Sequence, residues 1–120
     1  MKTYRDLIVW QKAMALVKET YSLSALLPRE ERFGLVSQMQ RAAVSIPSNI
    51  AEGYGRGSTN DYLRFLSIAR GSKYELETQI EICIMQSYFT QEDAQGACSL
   101  CDEIGKMITS LIGRLASPDA

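Results

Sequence analysis

The side chains that carry most enzyme chemistry are sparse in this 120-residue sequence. Histidine is absent, which excludes Ser-His-Asp and Cys-His catalysis and any histidine-ligated zinc site. A Cys98-x-x-Cys101 pair occurs, but no second pair or histidine completes a zinc tetrahedron. Because the pair lies well inside a helical pattern, away from a helix N-terminus, we predict core thiols rather than a redox centre.

Carboxylates are the remaining candidates for metal or acid–base chemistry. Metal sites in helical bundles usually rely on Glu-x-x-His pairs, which this chain cannot make. The alternative is an all-carboxylate site, and surface charge is the favoured interpretation. We expect no metal, no cofactor, no catalytic residue and no enzymatic activity. The carboxylates considered are Glu52, Asp61, Glu75, Glu77 and Glu81.

A glycine-rich segment contains Gly53, Gly55 and Gly57 and precedes a predicted helix. The free amides of that helix, together with Arg56 and Arg64, could hold a phosphate. No strand precedes the glycines and no Lys-Ser/Thr pair follows them, so the context of a dinucleotide site or a P-loop is missing. A turn between helices, with glycine supplying a positive φ, is the favoured interpretation.

Charge is unevenly distributed along the chain. Residues 1–73 hold 11 basic and 6 acidic residues, a net of +5, whereas residues 74–120 hold 2 basic and 8 acidic residues, a net of −6. Besides ordinary solvated faces, two hypotheses follow: a basic side binds nucleic acid or another anion, or opposite charges steer copies of the chain together. The candidate anion contacts are Arg41, Arg56, Arg64, Arg70 and Lys73, and the candidate acidic subunit contacts are Glu75, Glu77 and Glu81.

Apolar residues recur at spacings of three and four in four long segments separated by short punctuation, which is the period of a helix. Short connections make consecutive helices antiparallel neighbours. The sequence therefore predicts an all-α, up-down-up-down four-helix bundle forming one domain over residues 1–120. Trp10, Met14 and Met39 lie on the apolar stripes and are expected in the core. The predicted helices span residues 4–26, 29–53, 59–87 and 91–116.

Helix-start signals agree with this arrangement. A hydroxyl stands three residues before a carboxylate in three places, which is the capping-box pattern. Pro28 suits the start of the second helix. The three predicted boxes are Thr3-x-x-Asp6, Ser58-x-x-Asp61 and Thr90-x-x-Asp93.

Two residues in the middle of predicted helices suggest special geometry. Pro47 removes a helical hydrogen bond, so we predict a bend over residues 45–48. Gly71 is costly inside a helix, so we predict a close approach of another backbone there, with small residues at 42, 43, 69 and 72 sharing the contact. A polar stripe beside the predicted bend serves either internal bonding or a subunit or partner contact, and it consists of Ser45, Ser48, Asn49 and Glu52.

Composition narrows the setting in which the protein works. The apolar fraction of 46% and charged fraction of 22% suit a folded domain. No apolar run approaches the roughly 18–20 residues that a bilayer span requires, so we expect no membrane partner. Three cysteines and the lack of a signal-peptide pattern favour a reducing compartment, and we predict a cytoplasmic protein.

Three stretches of the sequence carry a specific likeness: YRDLIVWQKA at residues 4–13, LVSQMQRAAVSIPSNIAEG at 35–53 and FLSIARGSKYELE at 65–77. With them the chain resembles the four-helix bundle proteins found in intervening sequences of bacterial large-subunit ribosomal RNA. The resemblance implies a homo-oligomeric ring, expected to be a pentamer, and no known catalytic activity. It attaches no role to individual residues of these stretches.

A more distant likeness is to the accessory variability determinant of diversity-generating retroelements. That bundle is similar in fold and works with a reverse transcriptase and nucleic acid through a basic surface, whereas this chain has a net charge of −1. We therefore predict a non-catalytic, ring-forming interaction or scaffold protein. The alternative is an accessory protein that binds RNA or a reverse-transcriptase-like partner through a basic face of the first three helices.

Overall fold

A computed structural model describes residues 2–117, and four long helices account for most of them. Two short 3₁₀ helices, Tyr4–Asp6 and Arg29–Glu31, precede the first and second long helix. This confirms the predicted all-α four-helix bundle. None of the helices within residues 2–117 is long and apolar enough to cross a membrane. The long helices are α1 (Ile8–Ser24), α2 (Leu35–Gly55), α3 (Thr59–Met85) and α4 (Gln95–Ala116).

The helices pack in the order in which they occur along the chain. α1 contacts α2 and α4, and α3 likewise contacts α2 and α4, so the four close around one core. The molecule measures 49 × 23 × 20 Å. Each helix contributes fully buried aliphatic side chains to the core, which removes the apolar stripes from water. Examples are Leu16 from α1, Ile46 from α2, Leu76 from α3 and Ile104 from α4.

The capping motifs do not all start the helices that they predict. Thr3 and Asp6 form the expected reciprocal bonds, but they cap the first 3₁₀ helix, and Leu7 is then extended with φ −71° and ψ 124°. α1 therefore begins at Ile8 and ends at Ser24 rather than spanning 4–26. An extended residue cannot continue a helix, because its ψ lies in the β region.

The other two capping motifs behave differently from each other. The Ser58 hydroxyl accepts the amide of Asp61 at 3.1 Å and caps α3 directly. Thr90 and Asp93 exchange two bonds of 3.0 Å, yet α4 begins only at Gln95, so this box closes the turn that leads into the helix. The predicted start of the third helix at residue 59 is thus confirmed. The predicted start of the fourth helix at residue 91 is four residues too early.

The second helix starts later than predicted because of one carboxylate. Glu31 Oε1 accepts the Leu35 amide at 3.2 Å, and Glu31 Oε2 accepts the Tyr88 hydroxyl at 2.9 Å. Gly34 lies under this side chain, since a Cβ atom there would be 2.7 Å from Glu31 Oε1. Gly34 is not helical, with φ −107° and ψ −111°, so the 3₁₀ helix Arg29–Glu31 ends before α2 begins at Leu35. Compared with the approximate predicted span of 29–53, α2 begins six residues later and ends two residues later.

The close contact between α2 and α3 involves a different glycine from the one predicted. No heavy atom of residues 2–117 outside the helix's own backbone lies within 4 Å of a Cβ built on Gly71, so the predicted approach there is wrong. A Cβ on Gly53 would instead lie 2.6 Å from the Cβ of Phe65. Pro47 is buried within α2, which is helical on both sides of it. The bend proposed at this proline stays a prediction.

Candidate interaction surfaces

An apolar surface lies along α1 and α2 on the outside of the bundle. Met14 is 45% exposed, Tyr21 48% and Val44 41%, so the expectation that Met14 packs in the core is wrong. Trp10 is only partly buried, whereas Met39 is fully buried as predicted. Met14 and Tyr21 point outward because the helical stripe that faces the core passes through the neighbouring Ala13 and Leu16 instead. We call the surface formed by Trp10, Met14, Tyr21 and Val44 the α1–α2 face.

Two shallow grooves run along the α1–α2 face and meet at Val44. One has a volume of about 350 Å³ and includes Trp10, Met14 and Ser48, and the other has about 400 Å³ and includes Tyr21 and Arg41. Their lining mixes aromatic, aliphatic and small polar side chains. Such a surface suits contact with another protein surface rather than the enclosure of a small molecule.

The polar stripe of α2 is largely engaged inside the molecule. The Ser45 and Ser72 hydroxyl oxygens lie 2.8 Å apart and link α2 to α3. Asn49 Nδ2 donates to the carbonyl oxygen of Ser45 at 2.7 Å and to its hydroxyl at 2.9 Å. Ser48 is exposed on the α1–α2 side, and Glu52 is exposed near the end of α2. The structure thus assigns Ser45 and Asn49 to internal bonding and leaves Ser48 and Glu52 at the surface.

Arg56 and Arg64 come together on one aromatic ring. Their guanidinium carbons lie 5.0 Å and 4.5 Å from the ring centre of Phe65, at the turn between α2 and α3. Glu52 pairs with Arg56 at 3.0 Å and Asp61 with Arg64 at 3.7 Å. Both arginines remain exposed, but their charges are locally balanced.

The turn itself follows the favoured interpretation of the glycine-rich segment. Gly57 has a φ of +78°, the left-handed conformation that glycine adopts without strain. The first turn of α3 is partly capped, because Ser58 already accepts the amide of Asp61. The backbone here therefore serves as a connection between α2 and α3.

The remaining predicted anion contacts do not share this surface. Lys73 is only 6% exposed, and its ammonium lies 3.1 Å from Glu77 Oε1 and 4.0 Å from the centre of the Tyr74 ring. Arg70 lies on the α4 side of α3, 3.5 Å from the Thr109 hydroxyl, whereas Arg41 lines a groove on α2. The expectation of one basic face that includes Lys73 is therefore wrong, because Lys73 is buried against Glu77.

The predicted acidic contacts are also divided. Glu77 is committed to Lys73, whereas Glu75 and Glu81 are exposed on α3. Glu75 lines a groove of about 320 Å³ with Arg41 and Ser72, between α2 and α3. Within residues 2–117, no three acidic or cysteine side chains come close enough together to hold a metal ion.

The cysteines lie at or near the core. Burial raises the pKa of Cys83 to about 11 and that of Cys101 to about 12. The pKa of Cys98 is also raised, first by burial and then by the negative charge of Glu81. A raised pKa keeps a thiol protonated and unreactive at neutral pH. This agrees with the prediction of core thiols, with Cys98 the least buried of the three.

Sequence reasoning missed a groove at one end of the bundle. It has a volume of about 590 Å³ and is bordered by the starts of α1 and α3 and the ends of α2 and α4. We call it the end groove. Its clearest signal in the sequence lies in α4, where Met107 and Leu111 are four positions apart, as are Lys106 and Ser110. This spacing places the four side chains along one side of the helix. The residues considered below are Asp6, Leu7, Val9, Tyr54, Tyr62, Lys106, Met107, Leu111 and Arg114.

Tyr62 contributes a buried hydroxyl to the lining of the end groove. Its hydroxyl is buried and has no hydrogen-bond partner among the residues that the structure describes. Its ring packs edge to face against the Tyr54 ring, with 5.9 Å between the two ring centres. Burial, followed by the neighbouring Tyr54, raises the pKa of Tyr62, and Arg114 lines the same groove. A buried hydroxyl without a partner costs about 1–3 kcal/mol.

Comparison with known proteins gives a family and a fold. Residues 5–110 match the family model described as 23S rRNA-intervening sequence protein. A crystal structure of a protein of unknown function from the S23 ribosomal protein family of Bacteroides thetaiotaomicron superposes with a TM-score of 0.80 at 28% sequence identity. The match covers 88% of this chain and 98% of that one. No curated protein matches this chain significantly.

Proposed function

Because the chain belongs to the 23S rRNA-intervening sequence protein family, we propose that it is a non-catalytic interaction or scaffold protein that works as a homo-oligomer. Copies of the bundle form a ring, expected to contain five. The protein acts in the cytoplasm, where its three free cysteines suit a reducing environment. The α1–α2 face is the observation that carries this proposal.

The α1–α2 face supports self-association because it leaves large apolar side chains in water. Met14, Tyr21 and Val44 are each more than 40% exposed and border two grooves that meet at Val44. Contiguous apolar surface on a soluble protein commonly marks an interaction site, because burying it against a partner is favourable. Ser48 and Arg41 provide a polar rim of the kind found around such contacts.

The test is the mass of the assembly in solution. Native mass spectrometry or light scattering should give a multiple of the 13.4 kDa chain. Val44→Glu should lower that mass toward the monomer, because a carboxylate would be desolvated in the contact. Ile68→Glu is the matched control, since Ile68 is 42% exposed but lies on α3 and lines neither groove. A monomeric wild-type protein, or equal effects of both variants, would overturn the proposal.

A second candidate function is association with RNA, or with a partner that carries RNA, through Arg56 and Arg64. The convergence of both guanidinium groups on Phe65 favours it, because exposed arginines held by an aromatic ring are positioned to meet phosphates. Their partners Glu52 and Asp61 oppose it by balancing the charge.

Anisotropy titrations with a labelled structured RNA at about 50 and 200 mM salt separate the two functions. About six phosphate contacts would weaken binding on the order of a thousandfold across that range. Arg56→Gln together with Arg64→Gln should then remove binding, while Lys18→Gln with Arg29→Gln controls for net charge. The RNA function fails if no binding occurs at low salt or if both double variants bind equally.

A further inference from the structure

The end groove combines three features that point to one class of ligand: its volume, its apolar walls and its hydrogen-bond donors. It is open, with a volume of about 590 Å³, which lies in the range of small-molecule sites. Its walls are mainly apolar and include Leu7, Val9 and Met107. Leu7 and Val9 are nearly fully buried, so this wall is continuous with the core.

The polar groups of the end groove are predominantly donors. Lys106 and Arg114 are exposed cations at its edge, and Tyr62 offers a buried hydroxyl that no other group within residues 2–117 satisfies. Asp6 is the acidic residue in the lining. Its carboxylate already accepts the backbone amides of Lys2 and Thr3, at 2.8 Å and 3.1 Å. The groove therefore has donors to offer an anion, and one oxygen of its acid is already occupied by backbone amides.

We propose that the end groove binds a medium-chain carboxylate, with the alkyl chain along Leu7, Val9 and Met107 and the carboxylate at Arg114 and Tyr62. Lys106 adds a second positive charge at the edge. Arg114 is exposed, whereas the Tyr62 hydroxyl is buried, so binding requires a side-chain movement that uncovers this hydroxyl. A carboxylate there accepts hydrogen bonds from the phenolic hydroxyl and the guanidinium group, and such charge-assisted bonds are the strongest class available to it.

This ligand accounts for the groove better than a second copy of the chain does. An apolar helix face from another copy would cover the walls but leave the Tyr62 hydroxyl unpaired and the cations Lys106 and Arg114 without a counter-charge. The inference does not depend on the proposed assembly, which uses the α1–α2 face on other residues.

The experiment is a titration of the intact protein with hexanoate, octanoate and decanoate below their micelle-forming concentrations, followed by calorimetry and by amide chemical shifts. Affinity should rise about fourfold for each added CH₂ group, because each one is removed from water. Decanol, which has the same chain without the charge, should bind at least tenfold more weakly than decanoate. The amides that shift should belong to the end groove.

Variants decide which residues hold the carboxylate. Arg114→Gln should weaken decanoate binding about tenfold and Tyr62→Phe about fivefold, in line with loss of a charged and of a neutral hydrogen-bond donor, respectively. Lys18→Gln and Tyr74→Phe are matched controls on exposed residues outside the groove and should leave the affinity unchanged. Because Arg114 is exposed, its variant remains informative even if Tyr62→Phe perturbs folding.

Five results would overturn the proposal. Four of them are no binding of decanoate, equal binding of decanol and decanoate, shifts confined to the α1–α2 face, and an unchanged affinity in Arg114→Gln. Protection of the end groove by a second copy, seen as loss of binding on assembly with recovery in the monomeric Val44→Glu variant, would also overturn it.

Discussion

Gly53 of α2 packs so closely against Phe65 of α3 that the space of a side chain on Gly53 is already occupied. A Cβ atom there would lie 2.6 Å from the Cβ of Phe65 and 3.3 Å from Cδ1 of Tyr62. The atom in the way belongs to the stem of Phe65, which cannot move without shifting α3. The absence of a side chain at residue 53 therefore sets the distance between α2 and α3 near their shared turn.

Replacement of this glycine should destabilise the fold. Gly53→Ala should lower the free energy of unfolding by about 1–3 kcal/mol, because forced overpacking outweighs the better helix propensity of alanine. Gly71→Ala is the control, and it should raise the free energy by about 0.5–1 kcal/mol, since its Cβ would meet open space in a helix. Urea unfolding of both variants measures this. Equal effects of the two changes would contradict the close contact at Gly53.

The buried ion pair on α3 should respond differently to removal of each partner. Glu77→Gln should cost about 1–3 kcal/mol of unfolding free energy, because it leaves the buried Lys73 ammonium without its counter-charge while Glu77 itself is partly solvated. Lys73→Met keeps the buried stem and removes the charge, so its effect should stay within about 1 kcal/mol. Urea unfolding at neutral pH compares the two. If Lys73→Met proves the more damaging change, the ammonium makes contacts beyond Glu77 that stabilise the fold.

The Tyr62 hydroxyl should make stability fall at alkaline pH. Burial, followed by the neighbouring Tyr54, raises the pKa of Tyr62 above its ordinary value of 10.0. The folded state therefore holds this proton more tightly than the unfolded state does. The resulting stabilisation is fully present below pH 10 and is lost as the pH rises through the folded pKa. Urea midpoints from pH 8 to 11 should drop less steeply in Tyr62→Phe, and an identical slope would contradict the assignment.

The thiols should react with a disulfide reagent in two phases. Cys98 is partly exposed and should react first, whereas Cys83 and Cys101 are buried and protected by pKa values of about 11 and 12. All three should react slowly compared with a free thiol at neutral pH, because their pKa values are raised. Cys98→Ser should remove the faster phase, and Cys83→Ser should retain it. A fast reaction of Cys101 in the folded protein would show that the α4 core opens readily.

The spacing of apolar residues predicted the helices well, because a helix that buries one face carries apolar residues at every third or fourth position. Helix ends were harder to predict, because a capping hydroxyl accepts a free amide whether it precedes an α-helix, as at Ser58, or a short turn, as at Thr3 and Thr90. The break before α2 lies at the non-helical Gly34, beside Glu31, which bonds to Tyr88 far away in the sequence. Local patterns carry no information on such a contact.

The surfaces were only partly predictable for a similar reason. The sequence shows that Lys73 and Glu77 are four residues apart, but not that α4 covers the lysine at Gly105, where a Cβ would lie 3.0 Å from the Lys73 ammonium nitrogen. The end groove is lined by side chains from all four helices, so no single segment of the sequence predicts it. Met14 and Tyr21 share the spacing of core residues, and only the packing of neighbouring helices decides that they face outward.

Glu31 has a consequence for how the bundle opens. By accepting both the Leu35 amide and the Tyr88 hydroxyl, it fastens the α1–α2 connection to the α3–α4 connection, so the two helical hairpins are latched at one end. The opposite end holds the open groove and the unpaired Tyr62 hydroxyl. Local unfolding takes the route with the fewest contacts to break. The α2–α3 turn already joins the hairpins covalently at that opposite end. The Glu31 latch therefore holds the end at which the hairpins would otherwise part, and loss of its carboxylate should speed amide exchange there first.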